Sequence, residues 1–149
     1  MRKFLLALTT VTAALTAATQ APHAQTRTTI SGFPAAEDGA RLSFPADPAN
    51  DARIAVRLAG VTAPAPDAYP YGAWAHLALG DVVTGNEVTC RLSDNQNEGV
   101  CIIPGLGDLA RWAVMNGFAV PEPGPAGDPY AAAAREARMA KRGIWGGVR

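Results

Sequence analysis

Cys90 and Cys101 stand eleven residues apart in the middle of the chain, and no other cysteine is present. The flanking residues are strand-like. Residues 86–92 (Asn-Glu-Val-Thr-Cys-Arg-Leu) alternate polar and apolar, and Gly99 to Ile103 form a second β-prone run. Ser93-Asp94-Asn95-Gln96-Asn97-Glu98 between them has the composition of a hairpin loop. Such a hairpin sets the cysteines opposite each other on antiparallel strands. There a disulfide forms only if the register brings the Cβ atoms to about 4 Å, so a cross-link and a pair of buried thiols both remain open. Neither cysteine has a histidine or acid at metal-ligand spacing, and the only histidines are His23 and His76. A zinc site or a Cys-His nucleophile is therefore not expected, and no metal ligand is assigned.

The N-terminus bears on which outcome holds. Arg2 and Lys3 precede an uncharged stretch from Phe4 to Ala21 rich in Leu, Ala and Thr, the pattern of a positively charged region followed by the apolar core of an export signal. Its many threonines and the small residues before Gln25 favour cleavage over a membrane anchor, with Ala24 as the expected last residue removed. Residues 1–24 are thus expected to be a secretory signal peptide and residues 25–149 one domain, secreted or periplasmic, with no membrane association after cleavage. An even cysteine count in an exported chain is usually paired, which makes a Cys90–Cys101 disulfide the expectation. Loss of Arg2 and Lys3 lowers the basic count from 13 to 11 against 13 acids, a formal charge of −2. That balance argues against tight, non-specific nucleic-acid binding, which draws most of its affinity from clustered Lys and Arg neutralising phosphates.

Along the rest of the chain, Thr28 to Ser31 is β-prone, and Ala40-Arg41-Leu42-Ser43-Phe44 follows an Asp38-Gly39 turn; the two segments are expected to pair. Arg53-Ile54-Ala55-Val56-Arg57-Leu58 alternates strictly, with Ile54, Val56 and Leu58 on one face and Arg53 and Arg57 on the other. Pro64 and Pro66 make the next segment a loop. A helix is predicted over residues 71–79, with Trp74, Leu77 and Ala78 facing the core, His76 solvated, and Gly80-Asp81 as the stop. Asp108 is read as the cap of a second helix ended by Gly117. Asp128-Pro129 is read as the start of a third that runs to about Arg142, where Arg138, Lys141 and Arg142 complement the helix dipole. Trp74, Trp112 and Trp145 are read as packing residues on helices rather than a base-stacking platform.

The order of these features resembles the staphylococcal-nuclease-like (thermonuclease) family over most of the chain, from about Ile30 to Gly147. The specific points are the Asp38-Gly39 turn, Arg57-Leu58-Ala59-Gly60-Val61-x-Ala63-Pro64, Tyr71-Gly72, the strand cysteines of exported relatives, and Ala140-Lys141-Arg142-Gly143-Ile144-Trp145. The resemblance implies an α+β fold, a five-stranded Greek-key barrel of the OB type with three helices. It also implies phosphodiester hydrolysis with one calcium ion. In that family two carboxylates hold the ion, a glutamate positions the attacking water, and two arginines steady the charge that develops at phosphorus.

This chain departs from the pattern at its centre. The first carboxylate position falls on Ala40, the second on Thr62 and the glutamate on Ala65, so all three acids are absent. Arg57 matches the first arginine. The loop that carries the second reads Asp94-Asn95-Gln96-Asn97-Glu98-Gly99. No cofactor is expected, because without anionic ligands a divalent cation has no reason to leave water. Arg57 is the single retained catalytic position, and it also suits a structural role in which its five donors satisfy the following loop. Asp38 and Asp67 are candidate displaced acids, with Asp67 near enough in sequence to reach Arg57. The leading expectation is a catalytically degenerate binding or interaction module for an unknown protein or small anionic ligand, with weak or no nucleic-acid binding. The alternative is a divergent metal-dependent endonuclease acting on DNA or RNA, with Ca²⁺ held by shifted acids.

Overall fold

A computed structural model describes residues 28–47 and 49–147. The expected leader over residues 1–24, with its cleavage after Ala24, lies outside the described residues. The fold is α+β. Among the described residues nine short strands run β1 (Thr29–Gly32), β2 (Ala35–Ala36), β3 (Arg41–Asp47), β4 (Ala52–Leu58), β5 (Val61–Thr62), β6 (Val88–Leu92), β7 (Glu98–Ile103), β8 (Gly107–Asp108) and β9 (Val120–Pro121). Helix α1 (Tyr71–Val83) lies between β5 and β6, α2 (Leu109–Met115) follows β8, and α3 (Ala131–Met139) follows β9. A mixed sheet has the order β1-β6-β7-β4-β3-β2, with β8 added beside β7, and β5 pairs with β9. The β4–β7 contact is parallel, and the other pairings are antiparallel.

The cysteine hairpin forms as read. Cys90 lies directly opposite Cys101 in the β6–β7 register, and the two are joined by a disulfide buried in the core. The loop between them is closed by the Ser93 amide, which donates to the Glu98 carbonyl at 2.8 Å, and by the Ser93 hydroxyl, which donates to Asn95 Oδ1 at 2.6 Å. Bonds of this kind persist in oxidising compartments. Among the described residues no helix is long and apolar enough to cross a membrane.

The first strand pairing differs from the expected one. The segment around Ile30 pairs with β6, in the register Ile30 to Cys90, and β3 lies between β4 and the two-residue β2. The chain breaks at Phe33-Pro34, where Pro34 has no amide hydrogen for a ladder. Only Ala35-Ala36 lies close enough to the Asp38-Gly39 turn to fold back on β3. β4 alternates as read, with Val56 and Leu58 fully buried, but Ile54 near its start is 39% exposed.

Helix α1 runs four residues beyond its predicted end and buries a different stripe. Gly80 does not stop it, because Leu79 and Val83, one turn apart, both find the core. Thr84 closes it, its hydroxyl donating to the Gly80 carbonyl at 2.7 Å. The buried face is Gly72, Ala75, Leu79 and Val83, whereas Trp74 is 46% and Leu77 64% exposed. Small residues decide the orientation. A Cβ on Gly72 would run into the Ala65 carbonyl, and Gly39 packs on Ala75. The helix therefore seats its slim side against the 63–66 loop. His76 is half-buried rather than solvated, with Nε2 3.2 Å from the Ala36 carbonyl oxygen.

Helix α2 is capped by Asp108 as expected. Its Oδ1 accepts from the Ala110 amide at 2.8 Å, and Oδ2 accepts from the Tyr130 hydroxyl at 3.0 Å. Before α3, Asp128-Pro129-Tyr130 forms a single 3₁₀ turn with no side-chain cap, so Asp128 is not the helix cap the sequence suggests. α3 ends at Met139, three residues short of the expected Arg142. Arg138 lies 4.4 Å over the Trp145 ring, while Arg142 leaves the helix and donates to the Met115 carbonyl of α2 at 3.0 Å. The segment that follows α3 is thereby fastened to α2. Gly117 (φ 72°) and Gly143 (φ 51°) meet there so closely that a Cβ on either would collide with backbone carbonyl oxygen of the other's segment.

Candidate binding cleft

β3, β4 and the 61–66 segment enclose a cleft of about 250 Å³. Ala40, Thr62 and Ala65, the positions the nuclease resemblance assigns to its three acids, all line it, as do Asp38 and Arg57. The remaining wall is Val61, Ala63, Pro64 and Pro66, with Arg41 at its side. The positions thus come together in space, but the side chains they bring are methyl groups and a hydroxyl.

Arg57 is half-buried, and both of its terminal nitrogens are engaged. Its Nη2 pairs with Glu98 Oε2, and its Nη1 donates to Glu122 Oε1 at 2.5 Å and to the Val61 carbonyl at 3.2 Å. The last of these is the loop-satisfying contact foreseen for it; the two glutamates are not. β4 and β7 run parallel with Arg57 registered on Glu98, which places the carboxylate beside the guanidinium. Glu122 arrives from just beyond β9, where its amide donates to the Gly60 carbonyl at 3.0 Å. Burial draws the Arg57 pKa down, but the hydrogen bonds and charges of Glu122 and Glu98 outweigh it and hold the guanidinium above its ordinary range. Local pattern carried no sign of this pair, since the two acids lie 41 and 65 residues away along the chain. The one available signal was that a half-buried guanidinium needs a counter-charge.

The two displaced acids have separate fates. Asp38 reaches the cleft wall, where its Oδ1 accepts from the Ala40 amide at 2.8 Å and closes the turn. Asp67 is exposed and outside the cleft lining, and Arg57 finds its partners elsewhere. Arg41 sits directly opposite Arg57 in the β3–β4 register and has no ion pair among the described residues.

Calcium, which the resemblance implies, does not fit this donor set. Hard cations need several carboxylate or carbonyl oxygens converging at 2.3–2.6 Å. The cleft offers one carboxylate, Asp38, already committed to a turn amide. Glu98 and Glu122 face a fixed cation, the Arg57 guanidinium. Among the described residues no group of three or more His, Cys, Asp or Glu is arranged to hold a metal ion.

A scan against protein-family models finds no match for the chain, and a search of curated proteins finds none either.

Proposed function

We infer that the protein is an exported, staphylococcal-nuclease-like domain that has lost phosphodiester hydrolysis and acts as a binding or interaction module. The observation that carries this reading is the state of Arg57. Its terminal nitrogens are occupied by Glu98 and Glu122, while Ala40, Thr62 and Ala65 stand where hydrolysis would need acids. With both terminal nitrogens taken by carboxylates, Arg57 does not present its end-on fork to a phosphate, and among the described residues the cation left unpaired at the side of the cleft is Arg41. The cleft therefore suits a partner protein or a small anionic ligand beside Arg41 better than a phosphodiester to be hydrolysed.

The OB-type barrel is part of the same proposal. β1 and β2 flank the Phe33-Pro34 break and pair with β6 and β3 respectively. Counted as one bent strand, they link both ends of the order β6-β7-β4-β3 into a ring of five, with one parallel contact between β4 and β7. The disulfide supports export to the periplasm or beyond, where it would be kept oxidised.

The test is hydrolysis of single-stranded DNA by residues 25–149 in the presence of calcium, compared with Arg57→Ala. The expected result is no cleavage that depends on Arg57. Calcium-dependent cleavage abolished in Arg57→Ala would overturn the reading in favour of a divergent nuclease.

A further inference from the structure

A second concavity, of about 290 Å³, is lined by Leu106, Gly107, Asp108, Arg111, Trp112 and Met115 and shares no residue with the cleft. Its walls are an isobutyl group, a thioether and an indole, three of the side chains best suited to an apolar body. Leu106 is substantially exposed, and so is Ile102, which pairs with Asp108 across β7 and β8 at the same edge. Trp112 is held in place from behind by Phe118, their ring centroids 5.7 Å apart.

The polar groups of this groove differ in how fully they are used. Asp108 Oδ1 accepts from the amides of Ala110 and Arg111 at 2.8 and 3.4 Å, and Oδ2 accepts from the Tyr130 hydroxyl, so both its oxygens are already engaged by donors of the chain. The Arg111 guanidinium is exposed, with no hydrogen bond or ion pair among the described residues. Among the described residues the charged group left without a partner beside the apolar walls is therefore the Arg111 guanidinium, a fork whose geometry matches a carboxylate.

We propose that this groove binds a small amphiphilic carboxylate, its single ring or short branched chain lying against Leu106, Trp112 and Met115 and its carboxylate on Arg111. The volume is at the lower edge of the roughly 300–1,000 Å³ that ligand pockets span, which limits the apolar body to about that size. The proposal does not rest on the reading of the Arg57 cleft, so a nuclease activity found there leaves it standing.

The probe is hydrocinnamate, with hydrocinnamamide as its uncharged match, titrated into residues 25–149 and followed by amide and indole NMR shifts. Shifts confined to residues 102–115 and the Trp112 indole are expected, with the acid bound about tenfold more tightly than the amide. Arg111→Gln should remove that preference while the amide's affinity is retained, and Arg111→Lys should restore part of it. Both substitutions are at an exposed side chain, so the unperturbed remainder of the spectrum reports that the fold is kept. Equal affinity for acid and amide, shifts centred elsewhere, or no shifts at millimolar probe would each overturn the proposal.

Discussion

Arg57 of β4 and Glu98 of β7 are direct partners across a parallel strand pair and form an ion pair that Glu122 completes at the other guanidinium nitrogen. Removing the arginine leaves two half-buried carboxylates side by side without a counter-charge. Arg57→Ala should lower stability by about 1–2 kcal/mol, between the values for exposed and for fully buried pairs. Urea denaturation of Arg57→Ala, Glu98→Ala and the double variant checks this, with a coupling of at least ~0.5 kcal/mol expected.

Helix α1 offers a sharper contrast within one turn. Leu79 is fully buried and Leu77 mostly exposed. Leu79→Ala should cost about 2–5 kcal/mol, while Leu77→Ala should stay within roughly 0.5 kcal/mol of the parent. Equal losses in thermal or chemical denaturation would mean that the helix is rotated from the orientation described.

The Cys90–Cys101 bond closes a short loop within a hairpin whose register is already set by β6 and β7. For a loop of this length the cross-link contributes about 2–3 kcal/mol, chiefly by restricting the unfolded chain. Denaturation with and without reductant should differ by that amount, and a Cys90→Ala, Cys101→Ala double variant should show no dependence on reductant.

These elements differ in how far they could be read from residue order alone. The cysteine hairpin, the alternation of Val56 and Leu58, and the Asp108 cap were legible because each is decided within a few residues by side-chain period or a single hydrogen bond. The buried face of α1 was not. Both Trp74 with Leu77 and Ala75 with Leu79 satisfy helical spacing, and the choice is made by Gly72 and Ala75 admitting a distant loop and turn. The carboxylates on Arg57 were illegible for the same reason: they come from β7 and from beyond β9, brought close by topology. That Ala40, Thr62 and Ala65 bring no carboxylate to the cleft, by contrast, could be read directly, since the absence of an acid is a property of the residue itself.

Tyr130 makes the fold sensitive to alkali. Burial first, and then the charge and hydrogen bond of Asp108, push its phenol up to about 12 from an ordinary 10.0. The unfolded chain thus loses this proton at lower pH than the native one. The stabilisation is fully present below pH 10 and is lost as pH rises towards 12. Denaturation across that window should show a decline that is reduced in Tyr130→Phe.

Asp108 serves the α2 amides and the Tyr130 hydroxyl with one carboxylate. Asp108→Ala should cost about 2–3 kcal/mol, a cap of about 1 together with a stranded hydroxyl. Asp108→Asn, which keeps an acceptor for the helix amides, should lose less by the same denaturation measurement.

The meeting of Gly117 with Gly143 has a consequence for how this chain can change over time. In most packed pairs a bulkier residue on one side is accommodated by a smaller one on the other. Here the obstacle on each side is main-chain carbonyl, which no mutation can trim. Both positions are therefore closed to drift, singly and together, and the seam between the end of α2 and the C-terminal segment is a part of the molecule that compensatory substitution cannot rewrite.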